Sequence, residues 1–118
     1  MRKLPVFVAF LLLLVVLIVS CGKTGAALQE PVDCSTVINK NFATDINPIV
    51  QSTCNQQGCH DVASINGPGP LTNYSQVFNA RLVIRGAIES GLMPQNSTLS
   101  KNQRNAIICW IDGGAPNN

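Results

Sequence analysis

Two cysteines and a histidine stand close together near the middle of the chain, in the segment CNQQGCH at residues 54–60. His60 is the only histidine of the 118 residues, and Met93 is the only methionine after Met1. Thiol, imidazole and thioether groups are ligands of transition metals, and paired thiols also form disulfides. Taken alone, the spacing leaves open a disulfide between Cys54 and Cys59, or a zinc site that includes His60.

The order of these residues resembles the haem-attachment motif of c-type cytochromes, C-x-x-C-H. In that family the two thiols bond to the vinyl groups of haem, and the histidine is an axial ligand of the iron. The resemblance implies one covalent haem c on Cys54 and Cys59, with His60 as an axial ligand. This chain departs from the common motif by having four residues between the cysteines, a spacing found in a minority of cytochromes c. The extra residues, Gly58 among them, are expected to bulge outward.

Met93 lies thirty-three residues after His60, in an irregular stretch before the last predicted helix, and Pro94 follows it. Cytochromes c of the His/Met class have a methionine in such a loop. The resemblance therefore implies that Met93 is the second axial ligand of the iron, and a methionine ligand raises the reduction potential. A lone histidine or methionine is more often a surface or packing residue. The inference depends on both occurring together with the cysteine pair.

The resemblance covers about residues 34–118, nearly the whole chain after its first part, and is carried by the segments FATDINPIV at 42–50, LTNY at 71–74 and CWIDGGAPNN at 109–118. It implies an all-α, cytochrome c-like fold in which three or more helices pack around the covalently bound haem. In that fold the first and last helices cross with an aromatic residue at the contact. Phe42 and Trp110 are the candidates for this contact.

Further roles follow from the same resemblance. A backbone carbonyl of the Gly-Pro-Gly-Pro loop at 67–70 would accept the Nδ1–H of His60, so that Nε2 meets the iron. Pro68 and Pro70 are both candidates for that carbonyl. A haem propionate would bond to one of three polar side chains, Asn73, Tyr74 and Arg85.

Cys34 and Cys109 remain after the motif is assigned. One precedes the first predicted helix and the other lies on the last. Because those two helices are expected to touch, a disulfide between Cys34 and Cys109 is reasonable, with two free buried thiols as the alternative.

The elements that position these residues are predicted to be helices, and no strand pattern competes with them. The first runs from about 45 to 53 and leads directly into Cys54. Asp45 suits the N-cap, and Pro48 falls in the first turn, where its missing N–H costs little.

Two further helices follow. One spans about 73–90 and stops at Gly91. The last begins after Ser100, which forms a capping-box pattern with Gln103 three residues later. It ends at the Gly113-Gly114 pair.

The first part of the chain differs from the rest. A basic start is followed by sixteen apolar or proline residues from Leu4 to Val19, fewer than the roughly 20 that a membrane-spanning helix needs. This pattern predicts an export signal at 1–20. The sequence at 18–21 resembles the lipobox of bacterial lipoproteins, which implies lipidation of Cys21. An uncleaved anchor is the alternative.

Residues 21–33, small and mostly polar, are then expected to form a lipidated tether. Gly22 follows Cys21, where an aspartate would favour retention in the inner membrane. We therefore expect an exported, lipid-anchored protein at the outer membrane, facing the periplasm.

After residue 20 the chain carries six basic and six acidic residues, so that its charge is near zero. No basic stripe predicts a nucleic-acid partner. The remaining 98 residues suffice for one small domain, of a size at which covalent links or a cofactor add needed stability.

The sequence therefore predicts a membrane-tethered, single-haem c-type cytochrome that carries electrons to or from a redox partner protein in the periplasm. With His60 and Met93 both bound to iron, no position is open for a substrate, which favours an electron carrier over an enzyme. One alternative is a haem-free binding or structural lipoprotein held by two disulfides, Cys54–Cys59 and Cys34–Cys109. A zinc site ranks last, because an exported compartment favours disulfides and a fourth ligand is not evident.

Overall fold

The computed structural model describes residues 30–118. In this range the chain forms a π-helical turn, Phe42–Ile46, that continues into α1, Asn47–Thr53, followed by α2, Tyr74–Glu89, and α3, Lys101–Asp112. Residues 30–118 contain no strand, so the all-α prediction is confirmed at this level. The predicted signal at 1–20, Cys21 and most of the tether at 21–33 lie outside the described residues.

The first helix begins earlier than predicted, at Phe42, and its N-cap is Asn41 rather than Asp45. Asp45 lies inside the π-helical turn, where its carboxylate accepts the backbone N–H of Asn41 at 2.9 Å. The reason for the early start comes from the other end of the chain. Asn118 accepts the N–H of Phe42 through its side-chain oxygen and the N–H of Ala43 through its backbone oxygen, both at 2.8 Å. These bonds satisfy two of the N–H groups that a helix start leaves without partners.

Local signals place the other helix ends as predicted. Pro48 lies in the first turn of α1. The side chain of Asn73 accepts the N–H of Gln76 and caps α2. Ser100 and Gln103 form the predicted capping box at the start of α3, which ends at Gly113.

Helix α3 packs against both α2 and the π-helical turn. The rings of Phe42 and Trp110 lie with centroids 5.4 Å apart, so the predicted aromatic contact between first and last helices is present. Tyr74 at the start of α2 joins them, 5.0 Å from Phe42. The core is made by the fully buried side chains of these elements, chiefly Ile46, Val50, Val77, Ile107, Ile108 and Trp110.

The segment after α3 folds back over this aromatic cluster. The indole Nε1–H of Trp110 donates to the carbonyl of Pro116, and the hydroxyl of Tyr74 donates to the carbonyl of Ala115, both at 2.9 Å. Ala115 is itself fully buried. The aromatic residues therefore use their polar groups to hold the C-terminal segment, which in turn reaches the start of the first helix.

Cys34 and Cys109 form a disulfide, with their Cα atoms 5.3 Å apart. Cys109 is buried in α3, and Cys34 lies in the segment before the first helix. The pair that the sequence suggested is thus joined in the structure, and it closes a loop with a sequence separation of 75.

Candidate functional site

Helix α1 positions Cys54, which directly follows its last residue. Val50, buried at 2 %, anchors the helix in the core, and its carbonyl accepts the N–H of Cys54 at 2.9 Å. The carbonyl of Cys54 then accepts the N–H of His60 at 3.2 Å. This bond closes the loop between them, so that the first cysteine and the histidine are held by the backbone despite the extra residues.

The extra residues form an exposed turn. The N–H of Cys59 donates to the carbonyl of Gln56 at 2.9 Å, and Gly58 lies in the third position of the turn with φ +78°. A positive φ at this position is typical of a type II turn and favours glycine. Gln56, Gln57 and Gly58 are exposed, whereas Cys59 is half-buried. The predicted outward bulge around Gly58 is confirmed.

The thiols of Cys54 and Cys59 are half-buried and form no disulfide within residues 30–118. Burial raises the pKa of the Cys54 thiol, and the nearby Cys59 adds to this, while a hydrogen bond with Thr53 opposes it. Cys54 is therefore a protonated thiol at neutral pH. The loop presents two unoxidised thiols, in a domain whose other two cysteines are bonded to each other.

His60 is buried at 7 % exposure and is the one polar or charged residue in the core of the described part of the chain. Its Nδ1 lies 2.9 Å from the carbonyl oxygen of Gly69. Because a carbonyl only accepts, Nδ1 is the donor, and in the neutral ring Nε2 is then the nitrogen with the lone pair that can bind a ligand. The bond that the resemblance implied is present in the predicted loop.

The acceptor is nevertheless Gly69, and not Pro68 or Pro70. A turn that starts at Asn66 positions this carbonyl, since Asn66 accepts the N–H of Gly69 at 2.6 Å. Gly69 has φ +100°, a conformation that glycine adopts readily. The prolines flank the acceptor and shape the loop around it.

Met93 lies in the loop between α2 and α3, as predicted, and is half-buried. Its backbone N–H donates to the carbonyl of Ala87 at 3.2 Å, which fastens this part of the loop to the last turns of α2. No hydrogen bond within the described residues joins Met93 to the loop of His60. The structure therefore fixes the backbone position of Met93 without bringing its side chain into the buried core.

Two of the three residues suggested for a propionate, Arg85 and Tyr74, have their donor groups engaged elsewhere. Arg85 bonds both carboxylate oxygens of Asp112, at 2.6 and 3.1 Å, and Glu89 at 2.7 Å. These acidic partners raise the pKa of Arg85 further. Tyr74 donates its hydroxyl to Ala115, and the side-chain oxygen of Asn73 caps α2. The hydroxyl of Tyr74 therefore holds the C-terminal segment, and the guanidinium of Arg85 links α2 to the end of α3.

Several large apolar side chains that lie close to His60 or Met93 in the sequence are exposed. Val62 and Ile65 follow His60 in its loop with 82 % and 98 % exposure, and Leu92 directly precedes Met93 with 68 %. Leu82 and Val83 on the intervening α2 are exposed as well. Burying such side chains under an apolar ligand would be favourable, at about 1.5–3 kcal/mol for each one fully covered.

Within residues 30–118, no three side chains of the histidine, cysteine, aspartate and glutamate types are grouped so that they could hold a metal ion.

Comparisons of the chain with family models, with curated proteins and with solved structures found no match. Among the helices described for residues 30–118, none has the length and apolar character needed to cross a bilayer.

Proposed function

We propose that the protein is a membrane-tethered, single-haem c-type cytochrome that carries electrons. The observation that supports this most directly is the state of His60. The buried imidazole donates its Nδ1–H to the Gly69 carbonyl, so that Nε2 is the ligating nitrogen of the neutral ring, and it directly follows a loop with two cysteines that are not in a disulfide. Such an imidazole is oriented as metal-bound histidines usually are.

Cys54 and Cys59 would hold the haem. Haem c is bound through two thioether bonds, which Cys54 and Cys59 would supply by adding their S–H groups across its two vinyl groups, without net oxidation of the protein. Both sulfur atoms must be thiols for this addition. Cys54 and Cys59 are not joined in the structure, whereas Cys34 and Cys109 are, which favours this use of the pair over a structural disulfide.

His60 and Met93 would be the ligands that the chain supplies to the haem iron. Haem bound in this way supplies a one-electron iron couple, whose reduction potential a methionine ligand raises. With one imidazole and one thioether assigned, the chain keeps no position open for a substrate, so we propose an electron carrier and not an enzyme. The exposed apolar residues Val62, Ile65 and Leu92 provide apolar surface for the ring to cover.

We further propose that Cys21 carries a lipid anchor and that residues 21–33 form the tether. More than one acyl chain on a residue holds a protein stably at a membrane. The domain would then face the periplasm from the outer membrane and exchange electrons with a redox partner protein. The charge near zero after residue 20 gives no reason to expect a nucleic-acid partner.

The full chain should be produced in a host with cytochrome c assembly machinery, and haem should be stained on a denaturing gel. We expect haem to migrate with the polypeptide, because thioether bonds survive denaturation. A Cys54→Ala/Cys59→Ala variant should lose it, while a Cys34→Ser/Cys109→Ala variant, which also removes two cysteines, should keep it.

Wild-type protein without haem, from a host that loads a known cytochrome c, would contradict the proposal. A mass lower by two hydrogens on Cys54 and Cys59 in that sample would instead support the haem-free, disulfide-linked lipoprotein.

A further inference from the structure

Asn66 is bonded to both sides of the loop that follows His60. Its side-chain amide donates to the backbone carbonyl of Gly58 at 3.0 Å and to that of Cys59 at 3.2 Å. Its backbone carbonyl accepts the N–H of Gly69, whose own carbonyl accepts the Nδ1–H of His60. Asn66 therefore connects the residues just before His60 to the acceptor of the imidazole.

The side chain of Asn66 is exposed and has no part in the hydrophobic core. Ser64 supports the same arrangement, because its hydroxyl donates to the carbonyl of Cys59 and accepts the N–H of Asn66. The ends of the loop are joined separately, by the bond from the N–H of Leu71 to the carbonyl of His60 at 2.9 Å. Loss of the Asn66 side chain would therefore leave the core and the loop ends in place and release the middle of the loop.

The position of the Gly69 carbonyl determines how the imidazole of His60 is held. A hydrogen bond from Nδ1–H fixes the rotation of the ring and makes the opposite nitrogen a stronger electron donor. Gly69 belongs to a turn whose first residue is Asn66, so movement of Asn66 away from the preceding turn would lengthen or misalign this bond. The strength of the bond thus depends on a side chain whose own hydrogen bonds go to neither the imidazole nor the thiols.

We propose that Asn66 is a positioning residue for His60, which joins the Cys59 turn to the Gly69 carbonyl and so sets the orientation and donor strength of the imidazole. The role of this imidazole as an iron ligand rests on the proposed function. An amide suits the task because its two N–H groups can donate to two carbonyls at once. A carboxylate of the same shape has no donor to offer when it is ionised.

The test compares haem-loaded wild type with two matched pairs of variants, Asn66→Ala with Gln57→Ala and Asn66→Asp with Gln57→Glu. Gln57 is exposed in the turn between the cysteines and takes part in none of the bonds above. Solvent exchange of the His60 Nδ1–H, measured by nuclear magnetic resonance, reports how often its bond to Gly69 opens. Both Asn66 variants should exchange this proton about five- to thirtyfold faster, as expected for the loss of one or two hydrogen bonds. Both Gln57 variants should exchange it at the wild-type rate.

The reduction potential supplies a second readout for the alanine pair. A weaker Nδ1–H bond makes the imidazole a poorer donor to ferric iron, so Asn66→Ala should raise the potential, whereas Gln57→Ala should leave it unchanged. Asn66→Asp keeps the shape of the side chain, so the exchange measurement remains possible if Asn66→Ala does not fold.

Equal Nδ1–H exchange in the Asn66 and Gln57 variants would overturn the proposal. Faster exchange of the backbone amides of α3 by the same factor would also overturn it, because Asn66 would then act on the stability of the whole fold. Absence of haem from wild type would instead overturn the proposed function. In that haem-free protein the chemical shifts of the His60 ring nitrogens report which nitrogen carries the proton, and a population of Nδ1–H that Asn66→Ala left unchanged would contradict the role of Asn66.

Discussion

His60 and Met93 contribute to the proposed site in different ways. The imidazole of His60 is fixed by burial and by its bond to Gly69. The hydrogen bond that holds Met93 is made by its backbone N–H, to the carbonyl of Ala87. A thioether on a flexible side chain can adapt to a ligand, whereas a buried imidazole must be oriented before the ligand arrives.

The substitution Met93→Ala tests the second ligand. Haem should remain covalently attached, because Cys54, Cys59 and His60 are unchanged. The reduction potential should fall by on the order of 100 mV, since a methionine ligand favours the reduced state. The weak near-infrared absorption that is typical of a methionine bound to ferric haem should disappear.

Gln95→Ala, an exposed substitution in the same loop, serves as the control for Met93→Ala. It should change neither the potential nor the spectrum. If Met93→Ala also left both unchanged, Met93 would be a packing residue, and another side chain or solvent would have to complete the coordination.

At the scale of the helices, Arg85 of α2 connects to Asp112 at the end of α3. The dipole of α3 disfavours a negative charge at its C-terminus. The pKa of Asp112 is nevertheless lowered, chiefly by the hydrogen bond from Arg85. The ion pair therefore outweighs both the dipole and the partial burial of the carboxylate.

Asp112→Asn should reduce the free energy of unfolding by about 0.5–1 kcal/mol at pH 7, since the pair is partly exposed. The pKa of Asp112 is lower in the folded than in the unfolded protein, so its contribution is complete above the unfolded value of about 3.9 and is lost as the pH falls through the lower folded value. Urea unfolding of wild type and Asp112→Asn at pH 7, 5 and 3 should show a difference in the free energy of unfolding that persists at pH 5 and becomes smaller at pH 3. The control Glu30→Gln, which changes an exposed carboxylate, should leave the free energy of unfolding almost unchanged. A difference between wild type and Asp112→Asn that increased towards pH 3 would contradict the stabilising role of the Arg85–Asp112 pair.

The helices also show what sequence patterns can and cannot predict. The caps at Asn73 and Ser100 were predictable because their partners are three residues away. The start at Phe42 was not, because its partner Asn118 is 76 residues away. The same distinction holds in the site: the motif predicted Cys54, Cys59 and His60 as candidates, whereas Gly69 as the acceptor for His60 depends on the folded backbone.

For the whole molecule, the Cys34–Cys109 disulfide joins the segment before the first helix to the last helix. A cross-link stabilises mainly by restricting the unfolded chain, and the effect grows with the length of the closed loop. At a sequence separation of 75 the restriction is large for a small domain.

Replacement of this pair, Cys34→Ser/Cys109→Ala, should lower the free energy of unfolding by about 2–4 kcal/mol. Alanine is chosen at the buried Cys109 to avoid an unsatisfied hydroxyl. Urea denaturation of haem-loaded wild type and variant measures the difference. An unchanged urea midpoint of unfolding would mean that removal of the disulfide does not increase the conformational freedom of the unfolded chain.

The same disulfide decides which parts of the protein would bear mechanical tension. A pull on the backbone at residue 33, as from a membrane anchor, reaches Cys34 and passes across the sulfur atoms to Cys109 in the buried face of α3. Residues 35–41, the π-helical turn and α1 are bypassed. The backbone segment that leads to Cys54 therefore would not transmit this force, which the disulfide would transfer directly to α3. Reduction of the disulfide would redirect the same force along residues 35–41 and into the start of the first helix.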